Sequence, residues 1–441
     1  MKIELSVLFL LGLAFQVLAQ SPAKGLEGAW NGTLEAGGTK LRIVVTVTKS
    51  EAGAYAGKFE SLDQGATVPF DTVTLDGHNA RFEVKAAGIL YEGVLSKDRS
   101  ELNGKYTQGG QSFPLNLKRG EQAAGSATPS PSPTPKPDYS APADAPYTAE
   151  EVQVKTPMGH TLVGTLTLPK GASKSKPVPA VITISGSGRQ DRDSNLGFGG
   201  YKPFRVLADA LGRRGIAVLR MDDRGTGASG GTHKGSTSAD FAEDIRAGLA
   251  YLRTRTEIDA KRLGVMGHSE GALITPMVAV KETDLKAIVL LAGVADPGRS
   301  ALAFQIKNLY DHDTKLTPEK RAELITAIPQ RIEGMMAADP WMKFFIEYDP
   351  AAMMLRVKTP VLILTGANDK QAVASQVPLQ EKAFKEGGNK DVTAKIIPGL
   401  NHLFVEDADG FPGNYAKLPQ PLVMRADVVE TITEWLAKRL K

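Results

Sequence analysis

The chain has 441 residues, 42% of them hydrophobic and 23% charged, with a formal net charge of +4. That length allows two or three domains of ordinary core size, and the lack of any Lys or Arg block interleaved with aromatics leaves nucleic acid without support as a partner. It contains no cysteine, which excludes disulfides, thiolate metal sites, a cysteine nucleophile and lipid attachment through cysteine.

At the N-terminus, Met1-Lys2-Ile3-Glu4-Leu5 leads into an apolar stretch ending Val17-Leu18-Ala19-Gln20. Its apolar part is short for a membrane span, and small or aliphatic residues precede a cut after Ala19. Residues 1–19 therefore read as a cleaved secretory signal, which implies a periplasmic or secreted protein with no membrane span once cleaved. An uncleaved anchor is the alternative, because Glu4 weakens the positive leader.

Residues 25–119 alternate apolar and polar positions, as in Leu41-Arg42-Ile43-Val44-Val45, Arg81-Phe82-Glu83-Val84 and Phe113-Pro114-Leu115-Asn116-Leu117. Gly and Asp turns separate the runs, so a small antiparallel barrel or sandwich is predicted, with Trp30 and Tyr106 read as core rather than as a ligand platform. Contact with the cell envelope, by tethering, or a lid function are the roles open to this domain. Residues 120–146 then change to Ala, Ser, Thr and Pro, centred on Thr128-Pro129-Ser130-Pro131. With nothing to bury they form a semi-rigid spacer and a domain boundary, a proline-motif ligand being the alternative.

From 147 to 441 strand and helix patterns alternate. Two edge strands flank the Met158-Gly159-His160 turn, and buried-type strands follow at 180–184, 216–221, 263–266, 287–291, 361–364 and 393–397. Amphipathic stretches at 204–213, 238–254 and 272–280 lie between them, so a mostly parallel sheet covered on both faces is expected. Residues 299–355 interrupt the alternation and read as a helical cap, whose Met335, Met336 and 341–345 either pack or line an acyl pocket.

Gly267-His268-Ser269-Glu270-Gly271 follows the strand at 263–266 and precedes a helix. A strand that reverses into a helix this abruptly lifts the central serine out of the turn, the sequence form of a nucleophile elbow. A serine hydroxyl needs a base, and the base needs an acid that fixes its tautomer. His402 and Asp369 sit in loops after late strands at the same sheet edge, and the chain order Ser269, Asp369, His402 is that of α/β-hydrolases. His160 falls in an edge hairpin, and His268 occupies the variable slot of the elbow, where its ring is not expected to face the serine. Asp296 is the fallback acid.

The oxyanion needs donors already aimed at it: the backbone amide of Glu270, and that of Ser187 in the loop Ser185-Gly186-Ser187-Gly188, whose Gly186 and Gly188 let the backbone approach an acyl group. Asp191, Arg192, Asp193, Asp222, Asp223 and Arg224 cluster at the same edge and read as ion pairs supporting the oxyanion loop, with a polar substrate group as the alternative. Gly225-Thr226-Gly227-Ala228-Ser229-Gly230 fits a dinucleotide motif, but the polar stretch 231–237 separates it from the next helix. No cofactor and no metal site are expected.

Taken together, Ser185-Gly186-Ser187-Gly188 with Asp191-Arg192-Asp193, then Lys202-Pro203-Phe204, Asp222-Asp223-Arg224-Gly225, the elbow, and Leu400-Asn401-His402-Leu403-Phe404 resemble the EstD-type bacterial esterases, an α/β-hydrolase group near the serine aminopeptidases (S33) and dienelactone hydrolases. The segment 25–119 is similar to the lipocalin-like extensions that precede some bacterial hydrolases. The resemblance implies a doubly wound α/β-hydrolase behind an all-β domain, acting as a carboxylesterase on small-molecule esters of short to medium acyl chains. Two positions depart from it: Arg189 stands where a proline is expected, and Lys370-Gln371-Ala372-Val373 follows Asp369. A serine aminopeptidase, with Glu347 or Asp349 as amine anchor, an acyl thioesterase, and a binding protein with a vestigial hydrolase domain are the competing readings.

Overall fold

A computed structural model describes residues 25–36, 39–50, 53–63, 66–84, 89–108, 111–120, 137–196, 199–313 and 316–440. The expected signal segment and the centre of the expected spacer lie outside the described residues. The chain divides into two units between Thr134 and Pro135.

The first unit is built of β1 (Gly28–Ala36), β2 (Thr39–Lys49), β3 (Tyr55–Ser61), β4 (Ala66–Pro69), β5 (Thr72–Asp76), β6 (Asn79–Val84), β7 (Ile89–Leu95), β8 (Glu101–Gln108) and β9 (Gln111–Gly120). They form one nine-stranded sheet in the order β4-β3-β2-β1-β9-β8-β7-β6-β5. Because β1 closes back on β9, the ring of pairings among the described residues is open only between β4 and β5. Alternate positions such as Trp30, Val45, Phe82, Tyr91 and Leu117 point inward and are buried. They form a single core, so the domain is a barrel open along one seam rather than a two-sheet sandwich.

That interior is packed with rings. Phe82 stacks on Tyr91 at 5.2 Å and Phe59 on Tyr106 at 5.4 Å between centroids. Trp30 and Tyr106 are both core. The Trp30 indole N–H donates to the Leu26 carbonyl at 2.9 Å, and the Arg119 guanidinium lies 4.1 Å from its ring. Burying such a ring stabilises by about 3 kcal/mol, which a cysteine-free domain needs.

In the second unit β10 (Tyr147–Lys155), β11 (Thr161–Pro169), β12 (Val178–Ile184), β13 (Ala217–Met221), β14 (Ile258–His268), β15 (Ala287–Leu291), β16 (Val361–Gly366) and β17 (Val392–Ile397) make an eight-stranded sheet. Its order is β10-β11-β13-β12-β14-β15-β16-β17, antiparallel only at the β10 and β11 end. Successive residues of each strand feed opposite faces. Ile182, Val265, Ile288 and Ile363 pack under α2 (Ser238–Thr254), α3 (Glu270–Lys281) and α9 (Gln376–Glu386). Val181, Met266, Val289 and Leu362 pack under α1 (Pro203–Arg213) and α10 (Ala426–Arg439). Both faces are therefore apolar, which is why these strands read as unbroken hydrophobic runs.

Helix starts follow local chemistry. Thr237 accepts from the Asp240 amide while the Asp240 carboxylate takes the Thr237 amide, a capping box that opens α2. Between β15 and β16 the chain runs through α4 (Gly298–His312), α5 (Pro318–Thr326), α6 (Ile328–Ala338), α7 (Pro340–Glu347) and α8 (Pro350–Met354). This helical cap has its own small core around Leu302, Ile306, Ile332 and Ile346.

The expected spacer is shorter than its composition suggests, because the chain is already tied to the second unit before Tyr147. The Tyr139 ring lies 4.2 Å beneath the Arg192 guanidinium, and Ala145 is buried. Among the described residues no helix is long and apolar enough to cross a membrane.

Candidate active site

The turn from β14 into α3 leaves no room for side chains at its two glycines. A methyl group on Gly267 would sit 2.0 Å from the Gly271 carbonyl oxygen, and one on Gly271 would sit 2.3 Å from that of Ile184. Ser269, between them, is held at φ +56° and ψ −116°, a conformation that non-glycine residues avoid and that a tightly packed surround must enforce. Its amide donates to the Leu291 carbonyl at 2.8 Å, which locks the elbow to the neighbouring strand.

His402 lies in the loop after β17. Its Nδ1 donates to Asp369 Oδ2 at 2.8 Å, and both side chains are buried. The other carboxylate oxygen of Asp369 accepts the Gln371 and Ala372 amides at 2.7 and 2.9 Å. Lys370-Gln371-Ala372 thus supplies two N–H groups that fix the Asp369 carboxylate. With its proton on Nδ1, the imidazole presents a lone pair at Nε2. Asp296 is occupied elsewhere, accepting from Gln376 Nε2 at 2.6 Å.

Ser269 and His402 line one cavity of about 510 Å³ together with Gly186, Ser187, Trp341 and Phe345. No hydrogen bond joins the Ser269 hydroxyl to His402 among the described residues, and such contacts commonly tighten only when substrate is bound. Cap residues fill both expected roles: Trp341, Met342 and Phe345 line the cavity, and Met335, Met336, Met342 and Phe345 pack on the cap core. Neither Glu347 nor Asp349 lines the cavity. Asp349 instead caps α8 through the Ala352 amide at 3.1 Å.

The loop after β12 is held by buried charge. Asp223 accepts the Ser185 hydroxyl and the Gln190 amide, each at 2.8 Å. Burial, aided by the nearby Glu270 and Asp222 carboxylates, pushes Asp223 up to about 7. Arg192 makes a two-pronged contact with Asp222, at 3.0 Å from Nε and 2.7 Å from Nη2. Asp193 pairs with Arg220, and Arg224 with Asp244 at 2.7 Å. Asp191 caps its own turn, accepting the Asp193 and Asn195 amides at 3.0 Å. Arg189, in place of the expected proline, donates to the Gly225 carbonyl. Helix α2 opens at Ser238, well past the glycines at 225–230, so no helix start meets that motif.

Two contacts at the cavity have no signature in the sequence. His268 does border the cavity, and its Nε2 donates to the backbone carbonyl of His402 at 2.9 Å. Burial and the neighbouring His402 ring pull His268 down to about 4, so it is neutral. The second is the Glu270 side chain. Its Oε1 accepts from the Ser238 hydroxyl at 2.6 Å and from the Trp341 indole N–H at 2.7 Å.

Residues 200–409 match the family model described as serine aminopeptidase, S33. The chain is 28% identical over 284 residues to Esterase EstD of Thermotoga maritima, covering 63% of this chain and 66% of that protein. It is 28% identical over 272 residues to dipeptidyl aminopeptidase BIII of Pseudoxanthomonas mexicana, covering 59% of this chain and 35% of that one. The chain thus spans just under two thirds of the first relative and about a third of the second. A solved structure of the Pyrococcus furiosus esterase Pf2001 superposes with a TM-score of 0.46 and 16% identity, over 67% of this chain and 92% of that one. Sheet order and sequence likeness agree on the fold: the second unit is an α/β-hydrolase domain that resembles the serine aminopeptidase S33 family and Esterase EstD, and it follows an antiparallel β-barrel domain.

Proposed function

We propose that this chain is a serine carboxylesterase that cleaves small-molecule esters of short to medium acyl chains through an acyl-enzyme. The observation that carries the reading is the Asp369–His402 hydrogen bond of 2.8 Å, on the wall of the cavity that Ser269 also lines. His402 Nε2 takes the Ser269 proton as Oγ attacks the ester carbonyl carbon. Asp369 keeps the imidazole in that tautomer and stabilises the imidazolium. The amides of Glu270 and Ser187 receive the oxyanion, each donor being worth roughly 3 kcal/mol. Collapse expels the alcohol with the proton from His402, and water then repeats the sequence on the acyl-enzyme.

The apolar cavity wall of Leu273, Leu302, Trp341 and Phe345 supports an uncharged acyl group. Kinship with Esterase EstD supports ester hydrolysis, and the dipeptidyl aminopeptidase relative keeps the amide reading in view. Export to the periplasm or medium, from the N-terminal segment, belongs to the same proposal.

Ser269→Ala is expected to lower p-nitrophenyl butyrate turnover by roughly 10⁴ to 10⁶; full activity in that variant would overturn the assignment. Aminoacyl-anilide or acyl-thioester cleavage at rates matching the ester would shift the substrate class. Inertness of the folded protein toward a fluorophosphonate would point to a binding role.

A further inference from the structure

Directly after the nucleophile stands a carboxyl group that the chemistry above does not use. Glu270 is only 3% exposed, and its side chain collects donors from separate elements. The Ser238 hydroxyl, at the first residue of α2, donates to Oε1 at 2.6 Å. The Trp341 indole N–H, in the first turn of cap helix α7, donates to the same oxygen at 2.7 Å. Ser187, on the oxyanion loop, lines the same cavity beside Glu270 and Trp341. The carboxyl's own backbone is the first residue of α3, whose amide faces the oxyanion.

A buried carboxyl is costly unless its oxygens are taken up. An apolar residue would fill the site more cheaply if only packing were needed. The surroundings of this carboxyl share a different logic: Trp341 lies in the cap, stacks on Phe345 at 5.8 Å and walls the cavity, while Ser187, on the same wall, belongs to the loop that must hold still when charge develops. One rigid carboxyl joins them.

Building on the esterase reading, we propose that Glu270 is a positioning residue that couples the seat of cap helix α7 to the oxyanion loop, so that the cap wall and the oxyanion donors are set together. Displacement of Trp341 from Glu270 then loosens Glu270 beside the oxyanion loop, and the catalytic step slows even for a substrate too short to touch the cap.

The experiment compares wild type with Trp341→Phe, which keeps the ring and removes the N–H, and with Glu270→Gln, which keeps an acceptor. The substrates are p-nitrophenyl acetate and p-nitrophenyl octanoate. In Trp341→Phe the kcat on acetate is expected to fall about tenfold, the effect of one lost hydrogen bond to a charged group, and Glu270→Gln to lie between the two. An unchanged acetate kcat with only a raised octanoate KM makes Trp341 a simple wall residue and overturns the coupling.

A second measurement needs no turnover. The Trp341 emission, taken as the difference between proteins with and without that residue, is expected to shift to the red in Ser187→Ala. An emission that stays in place overturns the coupling whatever the activity. If wild type cleaves no ester while the emission shifts, the coupling stands and the esterase reading falls.

Discussion

His268 and His402 stand with ring centroids 4.9 Å apart, yet the hydrogen bond between them joins the ring of the first to the backbone of the second, 2.9 Å from Nε2 to the carbonyl oxygen. The elbow therefore grips the histidine loop directly. That loop is also held by Asn401, which accepts the Leu403 and Val405 amides at 2.9 and 3.2 Å, and by the Tyr201 hydroxyl on the Leu403 carbonyl at 2.6 Å. Replacing His268 by Phe keeps a ring but strands a buried carbonyl. A stability loss of about 1–3 kcal/mol is expected in urea titration, with kcat/KM falling as the imidazole loses its fixed placement.

Asp223 and His268 should tilt stability against pH in opposite directions. Asp223 holds its proton up to about 7 in the fold, above its ordinary carboxylate value, so its contribution is present in acid and lost as pH rises toward 7. His268, lowered to about 4, contributes above its ordinary value near 6.5 and loses that contribution as pH falls toward 4. Each effect is on the order of 3–4 kcal/mol at most, from about 1.4 kcal/mol per unit. In wild type they largely offset. Chemical denaturation of Asp223→Asn between pH 4 and 7 should show stability climbing with pH, and His268→Gln should show it declining; parallel profiles in the two variants would refute the opposition.

Asp369→Asn offers a sharp comparison with Asp296→Asn. Its side-chain oxygen would stay with the Gln371 and Ala372 amides, leaving an NH₂ toward His402 Nδ1 and driving the imidazole proton to Nε2. Loss of the basic lone pair is expected to reduce kcat about 10⁴-fold, with little change in KM. Asp296→Asn, bound to Gln376 in either form, should stay within a few-fold of wild type.

Two glycines test how space is used. Gly271→Ala would drive a methyl group against the Ile184 and Ser185 carbonyl oxygens, at 2.3 and 2.7 Å, so soluble folded protein should be lost or strongly destabilised in thermal melts. Gly334, exposed within α6, meets nothing within 4 Å. There alanine should raise stability by roughly 0.5–1 kcal/mol.

What the sequence made legible follows from periodicity. The strands of the second unit carry unbroken apolar runs because both of their faces are covered, and the elbow announces itself because Gly267 and Gly271 have no substitute. Ser269, Asp369 and His402 could be placed at one sheet edge because each follows a recognisable strand. In the barrel, Tyr55–Ser61 and Ala66–Pro69 escaped reading, since half-exposed short strands with glycine or proline carry little alternation. The cap appeared only as a helix-rich interruption, because its helices are mostly exposed. The donors on Glu270 were invisible for another reason: Ser238 and Trp341 are far away in sequence, and only tertiary packing brings them to one oxygen.

The pairing of β1 with β9 in the barrel has a practical consequence. Ala29 lies opposite Gly120, so the backbone comes in and goes out at neighbouring points on one rim. Such a module behaves as a bead threaded on the polypeptide: pulling on its two ends peels a single pair of strands instead of loading the whole structure. It can also be cut out, or transplanted into a surface loop of another host, without the host having to span more than the width of one strand pair.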